Sequence, residues 1–273
     1  MKLVEPNVEY LEQPKGIDGI YKMIEMAGRT CYKSEDKITE DSAKAFVDKL
    51  ISAKHLSMLE HGTVYLLFDM KKLEDYQDYR KVQFDTNPYS EYDVLNQFVY
   101  VTTNMRVLVE HDAMDFLLKY LIEPTSLHER RHTLKIVTDR GVSHEIVRSR
   151  SMSFAQESTR YCCYTKAKFG GEVTFIKPSD YDTNSLCSQI LIDSYKQSEF
   201  RYIQAISLGV QPQIARQVLP NGLKTEIVVT GFESDWKHFF NLRLRGITGK
   251  PHPDMQRVAQ LAWDVFKERG ISL

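Results

Sequence analysis

The stretch Thr133-Leu134-Lys135-Ile136-Val137-Thr138-Asp139-Arg140-Gly141-Val142-Ser143-His144-Glu145-Ile146-Val147-Arg148 passes from a β-branched run into a helical one with no linker between them. β-Branched residues over Thr133–Thr138 predict a strand, and the spacing of apolar residues predicts a short helix near Ser143–Arg148. A strand that feeds a helix directly, with neither element recurring at a fixed period, points to a mixed α/β (α+β) domain with a central sheet packed by helices.

Working outward, the same pattern of mixed elements continues. A first helix is predicted over Asp18–Ala27, with Ile20, Met23, Ile24 and Ala27 on one stripe. Thr39 reads as the N-cap of a second helix, which carries Ala43, Phe46, Val47, Leu50 and Ile51. Thr63–Phe68 reads as a buried strand and Lys224–Thr230 as another. Leu186–Leu208, a stretch restarting at Gln211-Pro212 and ending near Pro220, and Trp236–Leu242 read as helices. The last helix spans Pro253–Arg269, with Met255, Val258, Ala259, Ala262, Val265 and Phe266 inward and Gly270 as its stop. Residues 69–131 stand apart: rich in Tyr, Asp and Lys, then apolar and helical near Met114–Leu121. They are expected to be an insertion after the first core strand, within one domain covering residues 1–273. On that reading, strands Thr63–Phe68 and Thr133–Thr138 are neighbours in one sheet.

Composition narrows the function. The 273 residues carry 36 basic and 37 acidic side chains, a net charge of −1, so no basic field exists for a nucleic-acid polymer. No apolar run reaches the roughly 18 residues needed to cross a bilayer. A charge and a proline interrupt Met1–Asn7 before any signal core, so a cytoplasmic protein is expected. Cys31, Cys162, Cys163 and Cys187 have neither disulfide-framework nor zinc-ligand spacing, and no His-Glu-x-x-His occurs. No metal site is expected.

Chemistry concentrates after the predicted helix. Arg148, Arg150 and Arg160 present planar forks that match phosphate oxygens. Ser158 and Thr159 add hydroxyls, and backbone N–H groups over Gln156–Tyr161 are placed to complete an anion nest. Each charge-assisted hydrogen bond contributes roughly 1.5–3 kcal/mol. Three or four supply much of the about −8 kcal/mol of micromolar nucleotide binding. The competing reading pairs these arginines with Asp139, Glu145 and Glu157 on a solvated face. A serine nucleophile at Ser158 lacks any local general base, so Ser158 reads as a nucleotide ligand.

This segment resembles the motif of the flavin-dependent thymidylate synthases, Arg-His-Arg, seven residues, Ser, then Arg-Tyr. Here it is Arg148-Ser149-Arg150, seven residues, Ser158, then Arg160-Tyr161. His55-Leu56-Ser57-Met58-Leu59-Glu60-His61 resembles the family's His-x-Ser/Thr-x-x-Glu-His element. Ala215-Arg216-Gln217-Val218-Leu219-Pro220 with Asn241-Leu242-Arg243 resembles its C-terminal arginine pair, and Ala27–Tyr32 is a weaker echo. The likeness covers roughly residues 20–68 and 133–268.

The resemblance implies a homotetramer with shared active sites that methylates deoxyuridylate to thymidylate. Methylenetetrahydrofolate supplies the carbon, and FAD, reduced by NADPH, supplies the hydride. It implies Glu145, Arg148, Gln156, Glu157, Ser158, Thr159, Arg160 and Arg216 as substrate ligands. Arg243 would lie against the uracil as the catalytic group, stabilising charge on its N3/O2 side. His55, Ser57, Glu60, Arg148, Ser149, Arg150, Gln156 and His238 fall on flavin-contacting positions. Two departures concern the flavin: Ser149 stands where the family has histidine, and Phe232-Glu233-Ser234 stands where many relatives have Asn-x-Arg. Two alternatives follow: a related uracil-C5 one-carbon transfer on a different nucleotide with an altered flavin site, or a non-catalytic deoxynucleotide-binding protein. No Gly-x-Gly-x-x-Gly marks an NADPH site.

Overall fold

The computed structural model describes residues 1–166 and 170–273. In chain order the strands and helices are β1 (Lys2–Val4), β2 (Asn7–Leu11), α1 (Gly16–Tyr32), α2 (Ser42–Ser52), β3 (Thr63–Asp69), α3 (Leu73–Val82), β4 (Glu91–Leu95), β5 (Phe98–Asn104), α4 (Met105–Glu110), α5 (Met114–Leu117), β6 (Arg131–Asp139), α6 (Arg140–Ile146), β7 (Ser153–Gln156), β8 (Thr174–Ile176), α7 (Leu186–Ser207), α8 (Pro212–Ala215), β9 (Lys224–Phe232), α9 (Glu233–Arg243) and α10 (Pro253–Glu268). Helices and sheets mix along the chain, as the sequence predicted.

The functional half is built on a four-stranded antiparallel sheet of order β2-β6-β9-β7. Its centre is the nine-residue ladder running from Arg131 opposite Phe232 to Asp139 opposite Lys224. Because side chains alternate along a strand, Leu134, Ile136, Ile227 and Val229 face one way and Val228 and Ala155 the other. The first face is covered by α6, α9 and α10. Trp236, Phe239 and Phe240 of α9 meet Met255, Val258, Ala259, Ala262 and Phe266 of α10, at the spacing read from the sequence. Trp236 also donates its indole N–H to the carbonyl of His132 at 3.1 Å. Gly270 follows α10 at φ +69, the left-handed stop that glycine makes without strain. The second face receives Ala27 of α1, with Cys31 and Met58 beside it.

A second sheet, β3-β5-β4, is separate, which corrects the expectation that β3 and β6 are neighbours. β3 pairs along its whole length with β5, from Thr63 opposite Asn104 to Asp69 opposite Phe98. Both edges of β6 are meanwhile occupied by β2 and β9. The stretch 69–131 therefore supplies two of the three strands of this sheet. Its Val101, Leu108 and Leu117 bury with Ile20 and Ile24 of α1, Val47 of α2 and Leu66 and Phe68 of β3. Gly62, between the 3-10 turn Leu56–His61 and β3, lies so close to α1 that an added Cβ would meet Ile20 and Ile24 at 2.7 Å.

Several boundaries differ from the sequence reading: α6 begins three residues before the expected Ser143 and α9 three before Trp236. α1 runs on to Tyr32. α2 starts at Ser42, because the Ser42 hydroxyl accepts from the Thr39 N–H at 2.9 Å and leaves Thr39 in the preceding turn. The stretch after Pro212 is one α turn followed by the 3-10 turn Arg216–Val218, not a full helix.

Candidate active site

α6 is a short helix with two chemical faces. Asp139 caps it by accepting from the Val142 N–H at 2.7 Å, and burial pushes the Asp139 carboxyl up from its ordinary range. Arg140 and His144, one turn apart, project from the same side. They line a cavity of about 290 Å³ with Thr159, Arg216 and Gln217. Arg216 donates from Nη1 to the Thr159 hydroxyl at 2.8 Å, and Arg140 reaches the Glu157 carbonyl at 3.4 Å. Among the described residues no carboxylate lines this cavity. Two guanidinium groups facing one space without a counter-charge make an anion site.

The next residue of α6, Glu145, turns to α9. Its carboxylate accepts from Arg243 Nη1 at 2.8 Å and its carbonyl from Nη2 at 3.1 Å. Arg243 Nε is buried and has no partner among the described residues. One helix thus carries anion ligands and the clamp on Arg243.

Other predicted ligands are spent inside the fold. Gln156 donates its amide to Ser143 Oγ at 2.8 Å and Thr225 Oγ1 at 3.2 Å. Glu157 is only 2% exposed, accepting from Lys224 Nζ at 3.2 Å and from the Tyr164 hydroxyl at 3.3 Å. Its neighbour Glu226 pairs with Lys33, Lys135 and Lys224. Burial opposes ionisation of Glu226, but the ammonium groups of Lys224 and Lys33 outweigh it and hold the carboxyl well below the usual range. The expected backbone nest does not form. The N–H of Glu157 goes to Glu226, that of Ser158 to Cys31, and those of Tyr161 and Cys162 to the Ser158 carbonyl. Ser158 Oγ accepts from the Arg160 N–H at 3.3 Å, and no base lies within hydrogen-bond reach of it among the described residues.

Arg148, Arg150 and Arg160 are exposed and pair with no carboxylate among the described residues, unlike the solvated-face reading. Arg160 instead lies 5.3 Å from the Tyr161 ring. His55 and Ser57 are exposed at the 3-10 turn Leu56–His61, which packs against β7. Residues 148–150 lie just before β7, the edge strand, separated from it by Ser151 and Met152. His238 is exposed on α9. The guanidinium groups of Arg148 and Arg150 and the His55 imidazole, around one strand edge, are a donor set that fits a flavin dinucleotide; His238 is only placed on α9. Phe232, by contrast, is buried under the Arg131 guanidinium at 5.3 Å, and the Ser234 N–H is taken by Glu129.

His61 is fully buried, 2.8 Å from Thr230 Oγ1 through Nδ1, and burial with the Arg131 charge lowers its pKa to about 3. It is a neutral structural residue. Arg140 and His144, which line the cavity, escaped the sequence reading as site residues. The four-residue spacing of Arg140 and His144 was the one available signal.

The chain matches the model of the family described as thymidylate synthase complementing protein, Thy1, over residues 101–269. It is similar to a flavin-dependent thymidylate synthase of Synechocystis sp., 27% identical over 136 residues, covering 47% of this chain and 63% of that protein. A probable flavin-dependent thymidylate synthase of Paramecium bursaria Chlorella virus 1 is 29% identical over 153 residues, covering 51% and 70%. The Saccharolobus solfataricus flavin-dependent thymidylate synthase is 37% identical over 106 residues, covering 38% of each chain. The match thus spans less than two thirds of the cyanobacterial relative's own length. Among solved structures, the UMP/dUMP methylase PolB from Streptomyces cacaoi bound with 5-Br dUMP aligns over 98% of this chain and 97% of its own. Its TM-score is 0.46 at 16% identity, a likeness too slight to argue from.

Proposed function

The chain belongs to the family of thymidylate synthase complementing proteins, and from that premise we propose that it methylates deoxyuridylate to thymidylate, with methylenetetrahydrofolate as carbon donor and FAD reduced by NADPH. The observation that carries this is the cavity in which Arg140 and Arg216 meet His144 and Thr159 with no carboxylate on its wall. A phosphate dianion there takes paired N–H bonds from two forks and a hydroxyl bond from Thr159.

With the phosphate on one face of α6, the base end of the nucleotide lies toward Glu145 and Arg243. The Glu145 clamp fixes the Arg243 guanidinium plane before substrate arrives, so its charge need not reorganise as negative charge grows on the uracil N3/O2 side. Bound flavin supplies the hydride; His55, Ser57, Glu60, Arg148, Ser149, Arg150 and His238 would hold it. Gln156 and Glu157 act indirectly, by fixing the strand end that presents Ser158, Thr159 and Arg160. The reading extends to a cytoplasmic homotetramer of single-domain chains, acting on small molecules and not on nucleic acid. No helix among the described residues is long and apolar enough to cross a membrane.

Burial of Phe232 favours a second reading, a related uracil-C5 one-carbon transfer with an altered flavin site. Purified protein from a flavin-replete host should be yellow and release tritium from C5-labelled deoxyuridylate when NADPH and the folate are added. Colour without tritium release rejects thymidylate synthesis in favour of the second reading, in which the carbon goes to C5 of a different uracil nucleotide and the label on deoxyuridylate stays in place. Colourless protein that still binds deoxyuridylate rejects both and leaves a nucleotide-binding protein.

A further inference from the structure

The 3-10 turn Leu56–His61 is six residues long and has no side-chain cap at its start. Such turns have poor internal hydrogen-bond geometry, so this one depends on what grips it from outside. His61 anchors one end to Thr230 of β9 at 2.8 Å, and residues 98–131 hold the rest. Arg106 donates from Nη1 to the Glu60 carboxylate at 2.5 Å, while its Nε donates to Glu110 one turn along α4 at 2.8 Å. Arg131 donates from Nη1 to the Glu60 carbonyl at 3.0 Å and from Nη2 to Ser153 Oγ at 3.4 Å. The Met105 N–H donates to the Gly62 carbonyl at 2.9 Å. Arg131 therefore ties the turn carrying His55, Ser57 and Glu60 to β7, the strand just after Arg148–Arg150. Each arginine does this with two nitrogens in a fixed fork, which a lysine cannot copy.

We infer that Arg106 and Arg131 are positioning residues for flavin binding, acting through Glu60. This rests on the reading above that Glu60 and its turn contact the flavin. It gives the 69–131 stretch a functional role: to hold one wall of the cofactor site in register with the other.

A double-mutant cycle tests this on the purified full-length protein, with FAD affinity read by quenching of free FAD fluorescence. Arg106→Gln should weaken FAD binding about 10-fold, a middle value for members of one ion-pair network. Arg106→Lys should restore it only in part. Glu60→Gln should weaken binding as well, and adding Arg106→Gln to it should cost little more, because the arginine acts through that carboxylate. Deoxyuridylate affinity, which depends on Arg140 and Arg216, should stay within twofold and reports an intact fold. The milder Arg131→Lys, read the same way, covers the buried partner. Additive effects of Arg106→Gln and Glu60→Gln, or FAD affinity unmoved by Arg106→Gln in folded protein, overturn the inference. Wild-type protein that takes up no FAD overturns the flavin reading itself and the inference with it, so the two failures are distinguishable.

Discussion

At Arg216 a guanidinium keeps one protein partner, the Thr159 hydroxyl, and faces Arg140 across a shared cavity. Like charges held this way are tolerated because one is exposed to water and the other leans on a carbonyl, and a bound dianion relieves the repulsion. Truncating Arg216 to Ala removes charge-assisted bonds worth roughly 1.5–3 kcal/mol, or about 10- to 150-fold in KM for deoxyuridylate, with kcat less affected. Steady-state kinetics at varied nucleotide settles it; an unchanged KM would remove the cavity from the site. Loss of Arg243 should act differently, lowering kcat by about 100- to 1,000-fold, as expected for a donor that matters most in the transition state. At this scale two motif residues, Thr159 and Arg216, do come together on one cavity wall. The sequence misled where the residue turns inward: the carboxylate of Glu157 and amide of Gln156 are claimed by Lys224 and Thr225, which lie 67 and 69 positions away.

Helices α9 and α10 show what an element contributes. Phe240 is fully buried, edge-on to Trp263 at 5.0 Å and Phe266 at 5.7 Å. Phe240→Ala should cost about 3–5 kcal/mol of unfolding free energy, measurable as a lower midpoint in urea. Because α9 carries Arg243 three residues on, the variant should also lose activity in urea before the bulk of its far-UV signal. Coincident loss of both signals would show that α9 does not loosen on its own. The periodicity of α10 was readable because one stripe meets one partner. The start of α2 and the single turn of α8 were not, because each is set by a local hydrogen bond rather than by a repeating pattern.

For the molecule as a whole, acid stability is governed by buried ionisable groups. His61 stays neutral in the fold down to about pH 3, whereas in the unfolded chain it takes up a proton near its ordinary value of 6.5. The unfolded state therefore binds more protons in that window, and stability falls as pH drops from 6.5 towards 3. Glu226, held low by Lys224 and Lys33, contributes stability above the ordinary carboxylate value of 4.5 that is lost as pH falls further. Urea unfolding followed from pH 7.5 to 4 should show a falling midpoint, with the slope between 6.5 and 5 flattened in His61→Asn. An equal slope in wild type and variant would refute His61 as its source.

Sequence alone determined the mixed class, the inward stripes of the long helices and the family motifs, since each rests on local spacing or on an ordered string of residue types. Tertiary structure decided that Thr63–Asp69 joins a second sheet, because a strand pairs with whichever edge is open and β6 had none. It also decided which arginines confront an uncompensated cavity. Charge compensation depends on partners brought from distant positions in the chain, and no spacing rule encodes them.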